Sequence, residues 1–92
     1  MYKDNFWASR VNYVSGIIPD KAIEVQVKIR YQFQQANAVL TNYSDGALIQ
    51  FNEPQRSITP GQAAVFYQGD RVLGGGVIEG SVPSRVLSLT NA

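Results

Sequence analysis

The sequence predicts an all-β fold, a small antiparallel β barrel of six or seven strands. Three observations carry this. Residues 22–33, AIEVQVKIRYQF, set Ile23, Val25, Val27, Ile29, Tyr31 and Phe33 at period two against Glu24, Gln26, Lys28, Arg30 and Gln32. That alternation belongs to a strand with one face buried, whereas a helix would scatter the same residues around its circumference. Turn signals recur about every 8–12 residues, the spacing of sandwiches and barrels. No apolar stretch has convincing helical spacing, and closing a sheet of few strands removes its exposed edges.

The elements follow in chain order. The opening segment holds one strand around Phe6 to Val14, and the long strand over 22–33 comes next. Residues 38–43, AVLTNY, form a third. Ser44-Asp45-Gly46 is the turn after it, Asp-Gly accepting positive φ at both central positions of a tight hairpin. Residues 47–52, ALIQFN, return with Ala47, Ile49 and Phe51 on one face. Glu53-Pro54 stops that strand, because proline cannot donate to a ladder. TPGQ at 59–62 fits a type II turn, Pro60 presetting φ and Gly61 supplying a positive φ. Residues 62–67, QAAVFY, make a strand that Gln68-Gly69-Asp70 reverses. RVL and VIE flank Gly74, Gly75 and Gly76, and RVLSL at 85–89 is a last short strand after Pro83. With no linker and no repeat, residues 1–92 read as a single domain.

Composition narrows the function. At 92 residues the domain buries only about two-thirds of its unfolded surface. The chain has no cysteine and no histidine. Disulfides, thiolate nucleophiles, the usual zinc sites and imidazole acid–base catalysis are therefore excluded. A net charge of +1 gives no general field toward nucleic acid, so any basic site is a local cluster. No apolar run approaches the roughly 18 residues needed to span a bilayer. MYKDNFWASR lacks the apolar core of a secretory signal. No membrane partner is expected, and a cytoplasmic location fits.

Lys28 and Arg30 share one face of the long strand, about 7 Å apart. With Arg56 from a nearby loop they are the candidate contacts to RNA phosphates. The plainer reading is a solvated outer face on which Glu24 offsets the charge. Trp7, Tyr13, Tyr43 and Tyr67 could stack on unpaired bases, or pack in the core and at its rim. The triple glycine lacks what a phosphate loop needs, a helix N-terminus directly after it. Strand pattern resumes at Val77-Ile78, so Gly74, Gly75 and Gly76 read as a bulge or a sharply coiled strand at a barrel corner. Asp20, Asp45, Glu53 and Asp70 fall mostly in turns, and no catalytic pair or metal site is expected among them.

KIRYQ at 28–32 and FNEPQRSITPGQAAVFYQGDRVLGGGVIEG at 51–80 resemble the C-terminal domain of the tRNA-specific 2-thiouridylases. SRVNYVSG at 9–16 is similar too, with Tyr13 where that family usually has tryptophan. The resemblance covers residues 5–80, and its motifs are long and ordered. The tail SVPSRVLSLTNA, residues 81–92, matches no signature of the family. The resemblance implies a cytoplasmic or mitochondrial parent enzyme in three parts. A catalytic domain uses ATP, with Mg, to adenylate the wobble uridine of tRNA at its C2 oxygen. A cysteine pair there receives sulfur from a relay donor. A central domain helps to hold the tRNA, and the C-terminal barrel, similar to the second domain of elongation factors, is an accessory to tRNA binding. The Ser-Gly-Gly-x-Asp-Ser nucleotide loop and both cysteines are absent from this chain. The resemblance therefore implies no catalytic residue and no cofactor in this domain, with tRNA and the parent's other domains as its partners. Three roles stand: an RNA-facing accessory domain, a scaffold docked through outer apolar residues such as Val72 and Val77, or a free-standing OB-like module for single strands with Trp7 as its platform.

Overall fold

Alternation along each strand sorts side chains into an inner and an outer set, and the sheet closes around the inner one. The computed structural model describes residues 2–29, 34–56 and 58–90. Among these residues six strands form: β1 (Tyr2–Tyr13), β2 (Ile23–Ile29), β3 (Ala36–Tyr43), β4 (Gly46–Arg56), β5 (Ala63–Gln68) and β6 (Arg71–Ile78). They close in the order β1-β4-β3-β2-β5-β6, with every neighbouring pair antiparallel. Val25, Val27, Leu40, Ile49, Phe66 and Ile78 fill the interior with almost no solvent contact. Arg30, Tyr31 and Phe33 of the predicted long strand lie outside the described residues.

Three local expectations are corrected. The stretch predicted as a last strand is a helix, α1 (Ser84–Thr90). The Pro83 carbonyl accepts hydrogen bonds from Val86 N at 3.0 Å and Leu87 N at 3.2 Å, which starts the first turn. A closed barrel offers no edge to a seventh strand, so this segment can bury apolar surface only by lying on the outer wall. Val86 does so, fully buried against Trp7 and Leu48.

Pro54 does not stop β4, which runs on to Arg56. Lys3 pairs with Gln55, yet Asn5 pairs with Gln50, so the register slips between them. Pro54 falls inside the slipped stretch, where the strand bulges from its partner and its missing N–H matters least. The β3–β4 turn is centred one residue earlier than expected, on Ser44 and Asp45, since Tyr43 pairs with Gly46. Neither Asp45 nor Gly46 has positive φ. Space is what demands glycine at 46: a Cβ would lie 2.5 Å from the Trp7 ring and from the Ala8 carbonyl oxygen.

The TPGQ segment turns with Gly61 at φ +90° and a 3.3 Å bond from Gln62 N to the Thr59 carbonyl, the geometry of a type II turn. β6 passes through all three glycines without a break. Their role is close approach. A Cβ on Gly74 would strike the Asn12 carbonyl, one on Gly75 the Ala64 oxygen at 2.8 Å, and one on Gly76 the Ser9 oxygen at 2.9 Å. Both seams flanking β6 also slip in register, between Ser9 and Asn12 in β1 and between Phe66 and Tyr67 in β5. Bare backbone lets β6 coil tightly between its neighbours at these irregularities.

Antiparallel pairing fixes the two ends of the barrel. The start of β1, the ends of β2, β4 and β6, and the starts of β3 and β5 lie at one end. The end of β1, the start of β6 and the β3–β4 turn lie at the other.

Candidate nucleic-acid interface

Strand alternation turns Lys28 outward, because its neighbours Val27 and Ile29 fill the core. It is half-buried and pairs across to Val65 of β5. Arg56, the last residue of β4, is exposed and pairs with Tyr2. Its guanidinium lies over the Tyr2 ring, 5.0 Å from the centroid. Only β3 separates β2 from β4, so Lys28 and Arg56 share one end of the barrel, two strand spacings or ~10 Å apart across the sheet. Lys3 pairs with Gln55 at that end. The third predicted contact, Arg30, lies outside the described residues. Beside Arg56 an open groove of about 920 Å³ runs between the start of β3 and the end of β4, with Glu53 in its wall.

The predicted aromatic platforms fare differently. Trp7 is 5% exposed, although β1 turns it away from the barrel interior. Val86, Leu48 and the Tyr43 ring, 5.7 Å away at 50°, enclose it. Arg85 of α1 sits over the indole at 6.0 Å and also pairs with Asp45 in the β3–β4 turn. Tyr67 is half-buried on β5. Among the described residues the exposed ring is Tyr2, at 59%, which is not among the predicted platforms. Its importance comes from standing opposite Arg56, a fact of register that period and composition do not contain.

Tyr13 is buried, and its hydroxyl donates to Asn42 Oδ1 at 2.8 Å. Burial raises its pKa above the ordinary value of 10.0. The unfolded chain then ionises first, so stability holds below about pH 10 and falls as pH rises toward the folded-state pKa. Tyr13→Phe is expected to cost about 1 kcal/mol near neutrality and to flatten this alkaline decline, as read by urea unfolding at several pH values.

Among the described residues no three His, Cys, Asp or Glu side chains gather where they could hold a metal. Asp45 and Asp70 serve turns. Val72 and Val77 do not form one patch. Val72, 42% exposed, is near the start of β6, and half-buried Val77 is near its end. Instead Val72 lies at the same end as Val14, Ile17 and Ile18, which are 70%, 73% and 61% exposed. A 3.0 Å bond from Val14 N to the Leu73 carbonyl ties that loop to β6.

Residues 3–78 match the model of the aminomethyltransferase β-barrel domain family. The tRNA-specific 2-thiouridylase MnmA of Shouchella clausii is 41% identical over 80 residues, 86% of this chain and 22% of its own length. The protein of the same name from Synechococcus sp. strain JA-3-3Ab is 45% identical over 78 residues, 84% of this chain and 21% of its own. That of Acidithiobacillus ferrooxidans is 43% identical over 82 residues, 88% and 23%. The chain thus spans about a fifth of the length of the curated relatives it matches. Helix α1 lies beyond the residues that the family model covers.

Proposed function

We propose, for a chain that belongs to the aminomethyltransferase β-barrel domain family in the form of the C-terminal domain of tRNA-specific 2-thiouridylases, an accessory role in holding tRNA. The parent enzyme thiolates the wobble uridine at C2 in the cytoplasm. ATP, Mg and the sulfur-relay donor act in its other domains, and this barrel supplies no catalytic residue. One observation supports the role above others: Lys28 and Arg56, distant in sequence, share one barrel end with the exposed Tyr2. Two cations at one end can each meet a phosphate of the same backbone, and each contact makes binding depend on salt. No helix among the described residues is long and apolar enough to cross a membrane.

The test is tRNA affinity across a salt series. Lys28→Ala with Arg56→Ala is expected to weaken binding severalfold and to reduce the slope of log K against log salt by about 1.5. Affinity independent of salt, or unchanged by the double substitution, would overturn the RNA-facing role. Exposed Val14, Ile17, Ile18 and Val72 favour a second role, compatible with the first, in which the opposite end docks on the catalytic and central domains of the parent. The free-standing OB-like role is weakened, since the Trp7 it would stack on is enclosed.

A further inference from the structure

We propose that the groove between the start of β3 and the end of β4 holds an unpaired nucleobase of the RNA, so that this barrel end reads base edges as well as phosphates. The inference rests on the RNA-facing role above and adds what the site selects. The groove is lined by the carboxamides of Gln34, Gln35, Asn37, Asn52 and Gln55 together with Tyr2, Glu53 and Arg56. Each carboxamide offers a donor and an acceptor on one planar group, the combination that pairs bidentately with a base edge. Among the described residues, much of this capacity is unspent. The side chains of Gln34, Gln35 and Asn52 make no hydrogen bond among the described residues. Gln55 uses only its Nε2, which donates to the Glu53 carbonyl at 2.9 Å. Asn37 Oδ1 accepts a long 3.4 Å contact from Gln26.

Charge argues for a base over a phosphate in the groove itself. Its lining carries one anion, Glu53, and one cation, Arg56, and so no net charge. A carboxylate repels phosphate but accepts from an exocyclic amino group. Tyr2 and the guanidinium laid over its ring supply the flat surface on which a splayed-out base stacks. A base in an A-form duplex has its Watson–Crick edge paired and its major-groove edge in a groove too deep and narrow for side chains, so the ligand is a loop, a bulge or a single strand.

Nitrogen-15 spectra report the NH₂ groups of Asn and Gln directly. The labelled 92-residue chain would be titrated with tRNA, with an RNA stem-loop, with a fully paired duplex of the same length and with an unstructured peptide. The expected result is movement of the Asn52, Gln34 and Gln35 side-chain signals with tRNA and stem-loop, at an affinity at least tenfold above that for duplex. Tyr2→Ala is expected to weaken stem-loop binding about tenfold. Asn52→Asp is expected to do the same while leaving the backbone spectrum unchanged. Equal binding of duplex would overturn the base site and leave phosphate contact alone. Movement at Lys28 with still carboxamides would overturn the base site while the RNA-facing role stood. Groove signals answering only to peptide would make it a peptide groove, and silence toward every RNA would remove the RNA-facing role as well.

Discussion

Replacing Gly74 by alanine is expected to destabilise the domain by about 3 kcal/mol, a fall of roughly 15 °C in Tm for a domain of this size. The added methyl would meet only backbone: the Asn12 carbonyl, with Asn12 C and Tyr13 Cα both at 3.1 Å. Backbone cannot rotate aside as a side chain can. The β1–β6 seam would have to open where Tyr13 pairs with Gly74, disturbing the buried Tyr13 and its bond to Asn42. The control is Gly80→Ala. Gly80 has no positive φ, and the nearest atom to an added Cβ is Pro60 Cγ at 3.9 Å, so this change should stay within about 0.5 kcal/mol. Thermal unfolding of the two variants separates a close-packed seam from a ligand cradle. A Gly74→Ala protein as stable as the parent would remove the steric account of the triple glycine.

Trp7→Ala is expected to cost about 3–5 kcal/mol, the range for emptying a large buried aromatic site. Period two alone puts Trp7 on the solvent side of β1, since Phe6 and Ala8 face the interior. The cost therefore measures how firmly α1 is seated. A milder change isolates the helix. Val86→Asp puts a charge against the indole and should release α1 while the barrel core is untouched. Trp7, the only tryptophan in the chain, reports the release. Its emission should shift to the red and become open to iodide quenching, with the far-ultraviolet signal of the sheet retained. Emission unchanged in Val86→Asp would show that α1 does not shield the ring.

The barrel was legible because its signals are local. Alternation in β2, the TPGQ turn and the glycines of β6 each state a geometry within a few residues. What escaped depended on contacts between distant segments. RVLSL has too few residues for its period to decide between strand and helix. The decision falls to Val86, whose burial requires an outward tryptophan on β1. Pro54 looked like a stop because the register slip that accommodates it is set by Lys3 and Asn5. At the candidate interface the charges of Lys28 and Arg56 were visible at once. That they share one end follows from strand order, and the part of Tyr2 and the carboxamides follows from register, neither of which composition encodes.

The order of the seams also has a consequence for biosynthesis. β1 is hydrogen-bonded to β4 on one side and to β6 on the other, so the first strand of the barrel is closed by its sixth. A ribosome-bound chain cannot finish this domain until Ile78 has left the exit tunnel, and until then the β6 side of β1 stays unpaired. Topologies dominated by such distant pairings fold in about milliseconds to seconds, and incomplete sheets are the species most prone to associate. A stalled or truncated product ending before β6 would therefore present an open strand edge, which makes residues 71–78 the segment on which the safe release of this barrel depends.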